Sequence, residues 1–165
     1  MIFSCYQNMN SLKVTKPKYW GGPFFLGHPV HPGKAKGTGV ALYVHASLSA
    51  TVNKNLSHTS QHLETLFVTI PSDSQNLTVG VLYRPPSGDF REFLNEFEHI
   101  LNNCPSQNLY IMGDFNVDLH KLDNDNAKSY EELVLTSGLF PLISIATHAK
   151  PNCKESCIDN INKRS

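Results

Sequence analysis

The chain has 165 residues, 40% apolar and 17% charged, which fits one globular domain or a piece of one and excludes a disordered tract. Net charge is zero but unevenly placed: residues 1–63 carry six lysines and no acid, whereas residues 64–165 carry eight basic and 14 acidic groups. No apolar run reaches the ~18–20 residues of a membrane helix, and the start, Met-Ile-Phe-Ser-Cys-Tyr-Gln, lacks the regions of a secretory signal. An intracellular chain is expected, with no membrane partner and no secretion.

Ile2 to Gln7 is compatible with a strand. Residues 17–39 hold turn signals such as Gly21-Gly22-Pro23 and His31-Pro32-Gly33, and read as loop. Gly39 to Val44 is an apolar run suited to a strand buried on both faces. Glu64–Ile70 and Leu77–Tyr83 are two further β-rich runs, joined by the hairpin loop Pro71 to Asn76.

A helix follows Arg84-Pro-Pro-Ser-Gly-Asp89. Phe90, Phe93, Leu94, Phe97, Ile100 and Leu101 recur at a 3.6-residue period, with Asp89 placed to cap and Glu92 at the third position. Asn108 to Met112 is a short buried strand that runs into Gly113-Asp114-Phe115-Asn116. Residues 127–138 read as a second helix stopped by Gly138, and Ser156 to Ile161 as a final strand. The order predicts α/β architecture rather than a clean βαβ array. Neither a GxGxxG after a strand nor a Walker A loop is present, so no nucleotide cofactor is expected.

Three segments point to chemistry. Asp114 and Asn116 leave a buried strand two residues apart, so an extended chain would point both the same way. A carboxylate can orient or deprotonate water, and a carboxamide can donate to phosphoryl oxygens; the plain alternative is an Asp-Asn turn. Tyr83 closes a strand ahead of two prolines, as a phosphate-binding hydroxyl or as a core tyrosine. Asp159 sits inside an apolar run, as a partner to a catalytic group or as a strand-edge acid. Of the four cysteines, Cys153-x-x-x-Cys157 is half of a zinc pattern with no second half, and reads as two ordinary thiols. Two sequons, at Asn55 and Asn76, read as chance.

Taken in order, the segments at 37–44, 64–70, 79–86, 111–116 and 157–161 resemble the endonuclease/exonuclease/phosphatase family. Tyr83-Arg-Pro-Pro and Gly113-Asp-Phe-Asn with a helix between them are similar to the apurinic-endonuclease-like nuclease of LINE-type non-LTR retrotransposons. The resemblance covers residues 37–161 and implies a two-sheet α/β sandwich with helices outside, here incomplete at both ends. Residues 1–36 form a divergent segment with at most one strand, and 37–165 a partial domain.

The resemblance also implies function. Family members hydrolyse phosphodiesters with Mg²⁺ or Mn²⁺, and the partner expected is DNA, met in the nucleus by a monomer. Tyr83 would contact phosphate, Asp114 would position water, Asn116 would stabilise the transition state and Asp159 would orient a histidine. Thr147 resembles a position facing DNA, and Asn8, in Asn8-Met-Asn10-Ser-Leu12, resembles the first active-site Asn. The family's metal-binding Glu has no counterpart in residues 13–63, which contain no acid, and no histidine stands in a Ser-Asp-His strand. Asp114 and Asn116 would remain as metal contributors. The expectation is therefore a truncated endonuclease domain of retrotransposon origin, inactive as it stands. The alternatives are a phosphodiesterase completed in a longer chain and a non-catalytic nucleic-acid-binding module; Tyr19, Trp20, Phe24 and Phe25 among lysines favour the module.

Overall fold

The computed structural model describes residues 23–27, 39–45, 47–121, 123–148 and 155–164. The Ile2–Gln7 strand and Asn8 expected from sequence lie outside them.

Strand β1 (Pro23–Gly27) pairs antiparallel with β2 (Ala41–His45) in a two-stranded sheet. The first of these corrects the loop expected across 17–39. Turn signals flank the Pro-Phe-Phe-Leu-Gly strand, which is too short to show a period of its own. A seven-stranded sheet follows, formed by β3 (Thr51–Val52), β4 (His58–Thr59), β5 (Glu64–Ile70), β6 (Leu77–Tyr83), β7 (Leu109–Asp114), β8 (Leu139–Pro141) and β9 (Asp159–Arg164). Its order is β3-β5-β6-β7-β9-β8, with β4 also on β5. Among the described strands only β6 and β7 pair in parallel, linked by α1 (Phe90–Asn102) as crossover.

Alternation along the central strands splits the core in two. Phe67, Leu82, Leu109 and Ile111 face the helices, where they meet Phe93, Phe97 and Ile100 of α1 and Tyr130 and Val134 of α2 (Asp125–Thr136). Leu66, Val68, Val79, Val81 and Met112 face the other way, onto Val40, Leu42 and Val44 of the β2 segment. The expected two-sheet sandwich with helices outside is the fold found.

Local signals set the helices. Asp89 caps α1 by accepting from the amides of Arg91 and Glu92 at 2.9 and 3.0 Å. Asn124 caps α2, which begins two residues earlier than the sequence suggested. Gly138 follows α2 with φ of 71°, as a left-handed stop residue should. The last strand is Asp159–Arg164, not 156–161, because pairing with β7 and β8 fixes its register. Among the described residues, no helix is long and apolar enough to cross a membrane.

Candidate functional site

Cross-strand register builds the site. Glu64 stands opposite Tyr83, Tyr83 beside Asp114, and Asp114 opposite Asp159. These four residues from β5, β6, β7 and β9 form one row across the sheet. Two residues further into each strand lies the row Leu66, Val81, Met112 and Ile161. Side chains two apart share a face, so the polar row sits on the inter-sheet face, at the rim of the apolar row. Neighbouring strands are about 4.8 Å apart, so Tyr83, Asp114 and Asp159 fall within about two strand spacings. Asp114 and Glu64 are each only 3% exposed, while Tyr83 and Asp159 are half-buried.

Beyond Asp114 the chain turns. Asn116 is left-handed, with φ of 51°, and its amide donates to Asp114 Oδ1 at 3.0 Å. The extended geometry that would aim Asp114 and Asn116 the same way is therefore not what forms. An Asx-type turn replaces it, a conformation asparagine tolerates better than most residues. Asn116 Nδ2 donates to the Arg84 carbonyl at 2.8 Å. Phe115 is the anchor of the turn: its ring packs against Tyr130 at 5.2 Å and Phe97 at 6.1 Å on the helix side.

Arg84, unassigned from sequence, fastens this turn. Its amide donates to the Asp114 carbonyl at 3.0 Å, its Nε to the Phe115 carbonyl at 2.7 Å and its Nη2 to the Asn116 carbonyl at 2.7 Å. The guanidinium also lies over the rings of Phe90 and Phe93. Burial pulls its pKa below the usual arginine value, against the opposing fields of Asp114 and Tyr83; it stays a cation. A cleft of about 180 Å³ borders the turn, with Arg84, Asn116, Asp118, Lys121 and Asn124 in its wall.

Thr147 is exposed, and its hydroxyl accepts from the amides of Ile158 and Asp159 at 3.2 and 3.1 Å. It thus fixes the backbone at Asp159, one end of the row. His148 pairs through its backbone with Ser156. Asn8 lies outside the described residues. Among those residues, no group of three His, Cys, Asp or Glu side chains is arranged to hold a metal ion. By themselves they do not fit the carboxylate-rich set that Mg²⁺ requires.

Two residues of this region were missed from sequence. Glu64 carried a signal, since an acid opening an apolar strand needs a reason for its burial. Arg84 carried none beyond its place in Tyr-Arg-Pro-Pro, because its partners are more than thirty residues away.

A mixed sheet with helices on one face and a small second sheet on the other is an α/β sandwich, and an acid–tyrosine row lies at its strand ends. The chain belongs to the endonuclease/exonuclease/phosphatase family, whose model matches residues 5–161. That match reaches into the N-terminal stretch that the sequence resemblance left out. No curated protein matches the chain. Among solved structures, the endonuclease domain of TRAS1, a telomere-specific non-LTR retrotransposon, is 16% identical with a TM-score of 0.69, over 90% of this chain and 69% of that one. A family protein from Leptotrichia buccalis is 17% identical with a TM-score of 0.58, over 99% of this chain and 74% of its own. D. rerio TDP2, complexed with single-strand DNA product, is 12% identical with a TM-score of 0.51, over 87% and 62%. At these identities the likeness is one of fold.

Proposed function

We propose that the chain is part of a metal-dependent DNA endonuclease of retrotransposon origin, one that nicks a target by phosphodiester hydrolysis, and that these 165 residues alone do not nick DNA. The observation that carries this reading is the row Tyr83–Asp114–Asp159 at the rim of the inter-sheet core. Tyr83 would hold a phosphoryl oxygen, Asp114 would orient the attacking water and Asp159 would orient a proton-transfer partner. Asn116 would offer the N–H not engaged with Arg84 to developing charge. DNA is the proposed partner, with Mg²⁺ or Mn²⁺ the metal that family membership suggests. Inactivity follows from the ligand set: residues 1–63 hold no acid, and the Ser-Asp-His pattern is absent from the sequence. Each missing acid–base group typically costs ~10²–10⁴-fold in rate.

A binding-only role has one feature in its favour, the six lysines and no acid of residues 1–63 together with Tyr19, Trp20, Phe24 and Phe25. Plasmid nicking separates the readings. The chain should leave supercoiled plasmid intact in Mg²⁺. A chimera carrying a family Glu segment between Asn10 and Gly37 and a Ser-Asp-His strand after Ser165 should nick it, and Asp114→Ala should abolish that gain. Nicking by the unmodified chain that is lost on Asp114→Ala would overturn the inactivity. A chimera that binds but never nicks would favour the binding module.

A further inference from the structure

We infer that Arg84 is the positioning residue of this site, holding the Asp114–Asn116 turn in shape and acting on a bound phosphodiester only through those two side chains. The inference rests on the proposed reading of Asp114 and Asn116 as phosphodiester-contacting groups.

Arg84 follows Tyr83 directly, but strand alternation turns its side chain to the opposite, helix-side face. There it is only 8% exposed. Two of its N–H groups reach two successive carbonyls, Phe115 and Asn116, both at 2.7 Å. These are the two residues that follow Asp114. The backbone of Arg84 adds a bond at each end of the same turn: its N–H donates to the Asp114 carbonyl, and its carbonyl accepts from Asn116 Nδ2. The segment 84 and the turn 114–116 are thus stitched by four hydrogen bonds, two from side chain to backbone along the guanidinium fork.

Pro85 makes this one-sided stitching workable. A residue before proline is held in the extended region, which fixes how the Arg84 carbonyl points. Lysine cannot replace the fork, since one ammonium on a flexible stem does not present two coplanar donors at a fixed spacing. Arg84 therefore sets the orientation of the Asn116 carboxamide and stabilises the left-handed backbone on which Asn116 stands. The pairing of Tyr-Arg-Pro-Pro with Gly-Asp-Phe-Asn in one sequence becomes a physical coupling: one motif holds the other.

The test uses the ¹⁵N-labelled chain, with Arg84→Lys and, as an arginine that binds carbonyls elsewhere, Arg164→Lys. Arg164 donates to the Cys104 and Ser106 carbonyls in the loop that follows α1. Arg84→Lys should speed amide exchange at Asn116 at least tenfold and move the Asn116 side-chain signals, with Phe67 and Ile111 amides unchanged. Arg164→Lys should leave the Asn116 signals in place. Affinity for a labelled single-stranded dodecanucleotide should fall in Arg84→Lys to that of Asn116→Ala, and the double variant should be no weaker than either single. Unchanged Asn116 signals in Arg84→Lys, or equal acceleration throughout the core, would overturn the positioning role. Failure of the parent chain to bind the oligonucleotide would sink the phosphodiester reading, while the exchange data still decide the coupling. If Arg84→Lys does not fold, Asn116→Ala reads the same link from the other side. The Arg84 Nε–H signal shifts if the two are coupled and stays put if they are not.

Discussion

Gly113 stands in register with Leu82 across the parallel β6–β7 pair, so close that a Cβ on it would lie 2.7 Å from the Leu82 carbonyl carbon and nearer still to the oxygen. Its φ of 153° adds a conformation that side chains rarely adopt. The glycine before Asp114 is thus what lets the two strand ends approach. Gly113→Ala is expected to destabilise the chain by about 3 kcal/mol or more, since backbone cannot yield as a side chain can. Gly138→Ala meets nothing within 4 Å and strains only its φ of 71°, so it should cost about 1 kcal/mol. Urea unfolding of both variants checks the order, and equal losses would contradict it.

Phe97 is fully buried in a triangle of rings, 5.8 Å from Phe93 and 6.3 Å from Tyr130, which are themselves 6.4 Å apart. It also supports Phe115, the anchor of the Asp114–Asn116 turn. Truncation to alanine leaves a cavity in a rigid aromatic cluster and should cost about 3–5 kcal/mol. The expected readout is a lower urea midpoint with an unchanged slope; a loss below about 1 kcal/mol would show that the cluster collapses to fill the space.

Asp118 links the turn to the segment leading into β9. Burial would raise its pKa, but the Cys157 amide, the Lys121 ammonium at 3.1 Å and the His120 amide outweigh that and hold it below the usual carboxylate value. A depressed folded pKa contributes stability above the unfolded value of about 3.9, lost as pH falls through the folded one. Asp118→Asn should therefore lower stability at neutral pH and flatten the stability profile below about pH 4. An acid limb of unchanged steepness in thermal melts would rule this out.

The Cys157 thiol is buried, and burial together with the carboxylates of Asp118 and Asp159 raises its pKa. A thiol kept protonated and shielded reacts slowly. In a chain with Cys5 and Cys153 replaced by serine, iodoacetamide at pH 8 should label neither Cys157 nor the equally buried Cys104 until denaturant is added. Rapid labelling of Cys157 in the folded chain would show that the β9 approach opens readily.

Local chemistry is legible in the order of residues alone. The period of Phe93, Phe97 and Ile100 and the capping carboxylate of Asp89 specify α1 within a few residues of chain. The runs Glu64–Ile70 and Leu77–Tyr83, with polar residues between, specify the β5–β6 hairpin in the same way. Gly-Asp-Phe-Asn and Tyr-Arg-Pro-Pro carried the family, and through it the sandwich of sheets and helices. Other features exist only in the folded chain. Whether Pro23–Gly27 is a strand depends on β2 as its partner, and where β9 starts depends on β7 and β8. Glu64 joins Tyr83 and Asp114 because register places them level, and Asn116 turns away from the extended path in bonds with Arg84 that run both ways. The physical reason is the range of the forces. Helical period and caps act over three or four residues, whereas strand register and the Arg84 bonds join residues tens of positions apart, and such pairings exist only once the chain has closed on itself.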